Sequence, residues 1–264
     1  MILNNYKKFY ENIDRENIYA TGSDLKVDVF YEQLTVNFIK RFLLKDKKIL
    51  EIGSSKGAYQ NVVLDYTGID IVESLRKNYV KPYFVNELGQ PYPFPNECFD
   101  GVFTRAVFEH IPNIDFILKE MLRVLKKDGY IFFHMAWNAR SWAAGGYLVR
   151  PYSDFNWNGK LIKALLPLRE NIFIRSFYIF FKRGGLIIRF ILNKNNFKIH
   201  LKYKKIKPNY EIFWHSDFDA CNSVDSFALM LYFKANNCKI FNYSNLLRAF
   251  FVRSGNLIIQ NCNI

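Results

Sequence analysis

KILEIGSSKGAYQ, residues 48–60, is an apolar run that breaks into a turn carrying Gly53 and Gly57. Such a run reads as a buried strand entering a tight turn, and a short helix is expected after it. Glycines there let the backbone approach a bound molecule closely, and the open amides of a helix start favour electronegative groups. Nineteen residues after Glu51, the segment TGID ends in Asp70, placed to accept hydrogen bonds from two ribose hydroxyls. Strand, glycine turn and distal acid form a nucleoside-binding arrangement. The phosphate-binding fingerprints fit poorly, because GSSKG is not GxGxxG and lacks the GK[ST] ending of a P-loop.

Working outward, short apolar runs alternate with helical stretches, the pattern of a parallel sheet with crossover helices. KILEIG, TGIDI, YFV, GVFT and YIFFHM are the five expected strands. Between the last two, Ile114, Ile117, Leu118, Met121, Leu122 and Leu125 recur at helical steps, with Asn113 as start cap and Gly129 as stop. Upstream, Leu34, Phe38, Phe42 and Leu43 offer one apolar stripe. Downstream, a helix near Ser223 to Ala235 precedes strands expected around Ile240 and over Ala249 to Val252. The fold class is therefore α/β, a Rossmann-like, mostly parallel sheet with helices on both faces and a basic, aromatic helical insertion after strand five. Residues 1–47 form an N-terminal helical cap, 48–137 with 211–264 the core, and 138–210 a lid or substrate-binding insertion.

Composition bounds the function. The chain has 264 residues, half of them hydrophobic and 23% charged, enough to bury a real core. Cys98, Cys221, Cys238 and Cys262 show no paired spacing, which argues for reduced thiols and against a zinc site or any other metal centre. The opening MILNNYKKFYENID is broken by Asn, Lys and Glu before any apolar stretch of signal-peptide length, so a cytoplasmic location is expected, with the inner membrane face as an extension of it. The net charge of +13 sits almost wholly in residues 158–207, which hold 13 Lys and Arg against one acid, Glu170. Either a basic surface for an anionic partner or the solvated side of an amphipathic module would give that imbalance.

From Lys48 to Trp137 the chain resembles class I S-adenosylmethionine-dependent methyltransferases, over about a third of its length. The resemblance implies S-adenosylmethionine as cofactor, with S-adenosylhomocysteine as product. KILEIGSSKG is similar to the family's first motif, which makes Glu51 an indirect support of the methionine amine and places Gly53, Ser54 and Gly57 in the cofactor floor. YTGIDI implies Asp70 as ribose ligand and Ile71 as adenine neighbour. NELGQPYPFPNECFD implies Glu87 facing the adenine amino group and the Leu88 amide meeting a ring nitrogen. GVFTRAVFEHIP implies that Thr104 and Arg105 line the cofactor, with Glu109 and His110 beyond them. Departures are Ser55 where a middle glycine is frequent, a short first crossover, and Asn86-Glu87 where an aspartate is common.

Methyl transfer from a sulfonium needs alignment more than acid–base help, but a hydroxyl acceptor gains from a base, and histidine suits neutral pH. His110 follows strand four at the rim and reads as a base or as a packing residue at a helix start. His134 reads as a core histidine and His200 as solvated. His215 sits in EIFWHSDFDA with Asp217 and Asp219, a polar cluster that completes an acceptor pocket, pairs with His110, or merely caps a loop. The catalytic candidates are His110, His215 and Asp217. Arg140, Arg150, Tyr152 and Asp154 are acceptor-binding candidates or a surface loop. Residues 158–207 read as a lid over a phosphorylated substrate, an element on an anionic membrane, a stacking platform for nucleic acid, or a plain helical hairpin, with nucleic acid disfavoured by continuous Ile, Leu and Phe runs. The layout is most similar to methyltransferases of bacterial surface polysaccharide synthesis, capsule decoration included. That likeness implies a nucleotide-linked sugar, phosphate-bearing metabolite or capsule precursor as acceptor. RNA modification, or a degenerate cofactor-binding protein acting through partners, are the alternatives.

Overall fold

The computed structural model describes residues 2–12, 25–212, 214, 217–243, 245–251 and 255–262. Within these residues nine strands fall in two sheets. The large sheet contains β1 (Lys48–Ile52), β2 (Asp65–Asp70), β3 (Tyr83–Val85), β4 (Phe99–Arg105), β5 (Leu125–His134), β8 (Lys239–Ile240) and β9 (Leu257–Gln260), while β6 (Lys204–Lys205) pairs with β7 (Asn222–Ser223). Its spatial order is β3-β2-β1-β4-β5-β9-β8. The first five strands run parallel, and β9 lies antiparallel to both β5 and β8. The order reverses at β1, where the chain first crosses to β2 and later to β4. In open α/β sheets the crevice at the carboxyl ends of such strands is where ligands bind.

The helices are α1 (Ile2–Asn12), α2 (Leu25–Arg41), α3 (Ile114–Val124), α4 (Trp157–Glu170), α5 (Ile172–Leu192), α6 (Lys194–Ile199), α7 (Ser226–Ala235) and α8 (Leu246–Phe251). Side chains alternate across the sheet with period two. Ile131 and Phe133 of β5 therefore join one core with α3 and α7, while Phe132 faces Phe38 and Ile39 of α2 on the other side. Helices thus cover both faces.

Several elements differ from the sequence reading. The first crossover has no helix. Residues 53–57 are consumed by the turn, and the seven left before Asp65 make successive turns, with Gln60 N–H donating to Gly57 and Val62 N–H to Tyr59. The floor beneath a ligand is therefore loop rather than helix N-terminus. Asn113 does cap α3 by accepting from Phe116 N–H, but the helix stops at Val124, not at Gly129. Leu125 is already extended and pairs with Phe99, and the extra residues form a bulge before Tyr130 pairs with Gly101. Leu43 leaves the expected stripe, since α2 ends at Arg41 and Leu43 turns left-handed (φ 52°) into solvent. Ala249 to Phe251 are helical in α8, and the last strand lies further on at Leu257–Gln260; Val252 lies outside the described residues.

Candidate active site

β1 delivers its chain into a turn tied to the neighbouring strand, where the amides of Gly53 and Ser54 both donate to the Ile69 carbonyl (2.9 and 3.2 Å). Gly53 (φ 65°) and Gly57 (φ 69°) are left-handed, and no side chain fits at either. A Cβ on Gly53 would lie 2.4 Å from a Val107 γ-methyl, and one on Gly57 2.8 Å from the Tyr79 ring. Ser55 is also left-handed, at φ 46°, so serine occupies a conformation that favours glycine. The Tyr79 hydroxyl fastens the loop from above, within hydrogen-bonding distance of the buried Ser54 hydroxyl (2.7 Å) and the Ser54 and Ser55 carbonyls.

Asp70 closes β2 facing this turn. One carboxylate oxygen accepts from Ser55 N–H (2.9 Å) and the other from Ile71 N–H (2.7 Å). An ionised carboxylate has about four acceptor sites, so two remain for a pair of hydroxyls. Ile71 is partly buried against Val72, Leu75 and Tyr83 beside it. On β1, Glu51 is buried and accepts from the Tyr66 hydroxyl. Burial raises the Glu51 carboxyl to about 8, against the opposing effects of the Tyr66 hydrogen bond and the Arg105 charge. An incoming ammonium would pull it back toward the ionised form. Thr104, at the end of β4, is buried with its hydroxyl unpartnered among the described residues. Arg105 follows it, its guanidinium 5.8 Å from the Tyr59 ring centroid. Beyond β3, the Asn86 side chain is spent on the local turn, whereas the Glu87 carboxylate points outward and accepts from Lys7 (3.1 Å), with half-buried Leu88 next to it. The residues fit S-adenosylmethionine, which has a ribose for Asp70, an ammonium for the Glu51 side and no phosphate to require a helix-terminus cradle.

A second cluster stands where β4 runs into the 3-10 turn Phe108–His110. Imidazole Nδ1 of His110 lies 3.3 Å from a carboxylate oxygen of Asp219, which is fully buried. The same oxygen accepts from the Tyr10 hydroxyl (2.7 Å). Glu109 is buried beneath, accepting from Ala136 N–H through its carboxylate and from Cys221 N–H through its carbonyl. Burial pushes the Glu109 carboxyl up despite the neighbouring His110. Burial alone would lower the His110 imidazole, but Asp219, Glu109 and Asp217 together hold it above its ordinary value.

Sequence reasoning placed Asp217 among the catalytic residues. The carboxylate on the imidazole is instead Asp219, two residues on in the same turn. Asp217 itself adopts a left-handed backbone (φ 62°) and acts on His110 and Glu109 through its charge. His215 lies outside the described residues. The spacing of SDFDA offers two acids with nothing local to choose between them. The choice is made by the Cys221 to Glu109 backbone bond, which fixes how the turn meets β4.

Helix α1 was missed altogether as part of the site. Lys7 holds Glu87 at the cofactor side, and Tyr10 holds Asp219 at the other. Buried Tyr6 lies between, its hydroxyl raised first by burial and then by Cys221, Tyr210, Asp70 and Asp219. Phe9 packs on Tyr210 and Phe218, at centroid distances of 5.1 and 5.8 Å. The aromatic spacing of Tyr6, Phe9 and Tyr10 was a visible signal, but it names no docking place.

The remaining candidates lie apart from this cluster. His134 is half-buried at the end of β5 and is lowered to about 4 by burial and by Arg105. His200 is exposed, 3.3 Å from Asp115. Arg140 pairs with Glu170 (3.0 Å), Arg150 with Asp154 (3.3 Å), and Lys163 sits over the Tyr152 ring, so all four acceptor candidates of that loop take part in contacts within the insertion.

Residues 50–133 match the family model described as a methyltransferase domain. No curated protein matches the chain. Among solved structures, the chain is similar to the YcgJ protein from Bacillus subtilis, at 18% identity and a TM-score of 0.35, covering 40% of this chain and 51% of that one. It is also similar to an S-adenosylmethionine-dependent methyltransferase from Mesorhizobium loti, at 13% identity and a TM-score of 0.35, covering 38% and 52%. A third is a Haemonchus contortus phosphoethanolamine N-methyltransferase, at 24% identity and a TM-score of 0.35, covering 42% and 29%. The chain spans about half the length of the first two. The strand order and the glycine turn facing Asp70 make a Rossmann-like sheet, and residues 50–133 of it match the methyltransferase-domain model.

Proposed function

We propose that the protein transfers a methyl group from S-adenosylmethionine to a hydroxyl of a small or medium anionic acceptor, with His110 as base. The observation that carries this reading is the His110–Asp219 pair at the rim of the cofactor turn. The cofactor supplies a methyl already activated by its sulfonium. The chain's own residues must orient the acceptor and take its proton. In this reading Nδ1, 3.3 Å from Asp219 but outside hydrogen-bond geometry, carries the proton, and Nε2, 3.9 Å from a Glu109 carboxylate oxygen, presents the lone pair. Tyr10 donates to the same Asp219 oxygen and so holds that carboxylate beside the imidazole. Arg105, whose charge reaches Glu51, Tyr59 and His134, supplies a cation on the floor side. The acceptor class favoured by the motif resemblance is a nucleotide-linked sugar or another phosphate-bearing precursor of a surface polysaccharide.

Titration calorimetry with S-adenosylmethionine and S-adenosylhomocysteine tests the cofactor half, with Asp70→Ala expected to weaken binding by about 1.5 to 3 kcal/mol. Labelled methyl uptake into phosphorylated sugars, capsule precursors and RNA tests the acceptor half. His110→Ala should slow turnover with cofactor affinity unchanged. Equal turnover in that variant would remove the base from the reading, and uptake by RNA alone would replace the acceptor.

A further inference from the structure

The insertion turns many apolar side chains to solvent and is anchored to the protein through a few buried or part-buried charges. Along α5, Arg183 is fully buried, with its guanidinium on both oxygens of Asp225 and on the Phe250 carbonyl. Lys182 reaches the same Asp225 (3.5 Å), and Arg175 pairs with Glu170 (3.2 Å). These contacts turn the opposite face outward. There Phe173, Phe177, Phe181, Ile188 and Ile191 recur at helical spacing, with Phe173 80% and Ile191 74% exposed. On α4, Trp157, Leu161, Leu165 and Leu168 repeat the pattern at steps of four, four and three, Trp157 being 80% exposed. Single exposed hydrophobics are ordinary, but a helix whose outward face is mainly aromatic and aliphatic needs a cover.

We propose that this face docks on an anionic membrane surface. The argument is charge complementarity. Exposed Lys160, Arg169, Arg189, Lys194, Lys198 and Lys204 accompany the apolar residues. The segment's one acid, Glu170, is already neutralised by Arg140 and Arg175. A second copy of the chain would bring these cations against their own kind, whereas anionic lipid attracts each of them. The exposed rings of Phe173, Phe177 and Phe181 share this face with aliphatic Ile188, Ile191 and Leu192, a mixture that suits lipid and leaves much of the face without a ring for a nucleic-acid base. No helix of the described residues is long and apolar enough to cross a membrane, so α5 lies in the interface rather than through it. Gly184 and Gly185 sit in the middle of α5, and a Cβ at either meets nothing within 4 Å. Side chains can therefore be introduced there without disturbing the packing beneath.

The test is sedimentation of the full chain with vesicles of phosphatidylglycerol in phosphatidylcholine, and with phosphatidylcholine alone, beside light scattering without lipid. The chain should sediment with the anionic vesicles and not the neutral ones. Phe177→Glu combined with Gly184→Glu should weaken partition about 30-fold or more, the scale of a lost aromatic anchor plus like-charge repulsion. Lys204→Gln with Lys205→Gln, on exposed side chains of a surface strand, should weaken it by a smaller factor and preserve the circular dichroism of the fold. Failure to bind anionic vesicles, equal binding to neutral ones, or a dimer that the Phe177→Glu variant dissociates in the absence of vesicle binding would each overturn the proposal. Vesicle binding needs no cofactor, so its outcome is separate from that of the methyl-transfer reading.

Discussion

Replacing Gly53 by alanine tests the cofactor floor at its tightest point. Two costs add. The residue holds φ 65°, and placing an L side chain in that region costs about 1 to 2 kcal/mol. The new Cβ would also meet the two Val107 γ-methyls at 2.4 and 2.6 Å, far inside contact distance. Forcing a partly buried valine aside costs roughly a further 1 to 3 kcal/mol, so the variant should lose about 2 to 5 kcal/mol, much of a typical domain's margin. Urea unfolding of Gly53→Ala, Val107→Ala and the double variant separates the terms. Val107→Ala alone removes two methyls and should cost about 0.5 to 1.5 kcal/mol. In the double variant the offending methyls are gone, so its loss should fall short of the sum by about 1 to 3 kcal/mol. Additive losses, or a Gly53→Ala protein as stable as the parent, would refute the close approach of Val107 to this turn.

Other predictions address the same pocket. Ser55→Gly should raise stability or cofactor affinity by about 1 kcal/mol, because glycine holds the left-handed turn without strain; urea midpoints and calorimetry would show it, and a loss would mean that the serine side chain matters more than its backbone. Glu51, raised to about 8, is mostly protonated at neutral pH, so binding an ammonium beside it should release protons. Calorimetry at pH 7 should then depend on buffer ionisation enthalpy, with affinity climbing as pH rises toward about 8, and Glu51→Gln should abolish both effects. For His110, a raised imidazole is the inactive cation below its own pKa, so the ascending limb of kcat/KM should lie above the ordinary histidine range. Asp219→Asn should shift that limb to lower pH and reduce kcat. By the same sign, the stability contributed by protonated His110 is full below the ordinary histidine value and fades as pH rises through the folded-state one, and Asp219→Asn should flatten that dependence.

What was legible in the sequence was local. KILEIG, YFV and GVFT carry their strand pattern within a few residues, and all lie in the sheet. The turn geometry of Gly53 and Gly57, and the place of Asp70 opposite them, follow from two adjacent elements. The absent first helix was also within reach, since seven residues between turn and strand cannot make two helical turns. Other features rest on contacts between distant parts of the chain. Tyr10 meets Asp219 across 209 residues, and no periodicity in either segment announces the partner. Gly129 failed as a helix stop because Leu125 could pair with Phe99, and strand pairing overrode a local capping signal.

The insertion shows the same limit most sharply. From composition, a stretch with 13 cations and many aromatics has two opposite solutions, cations outward over an apolar core or aromatics outward over a polar anchor. The buried Arg183–Asp225 pair turns the aromatics of α5 outward, and cations such as Arg189 and Lys198 stay outward beside them. A buried ion pair gives little net stability after its desolvation cost, but an unpaired Arg183 in the same place would cost several kcal/mol. Every arrangement that separates the two is therefore penalised. The pair thus acts through specificity, fixing which face of α5 meets the body and which is left to a partner. Asp225 also caps α7 by accepting from Phe227 N–H, which makes the anchor part of the core and not an appendage to it. The outward aromatics of α5 are held by the same carboxylate that starts a core helix, so the exposed face is a built feature of the fold.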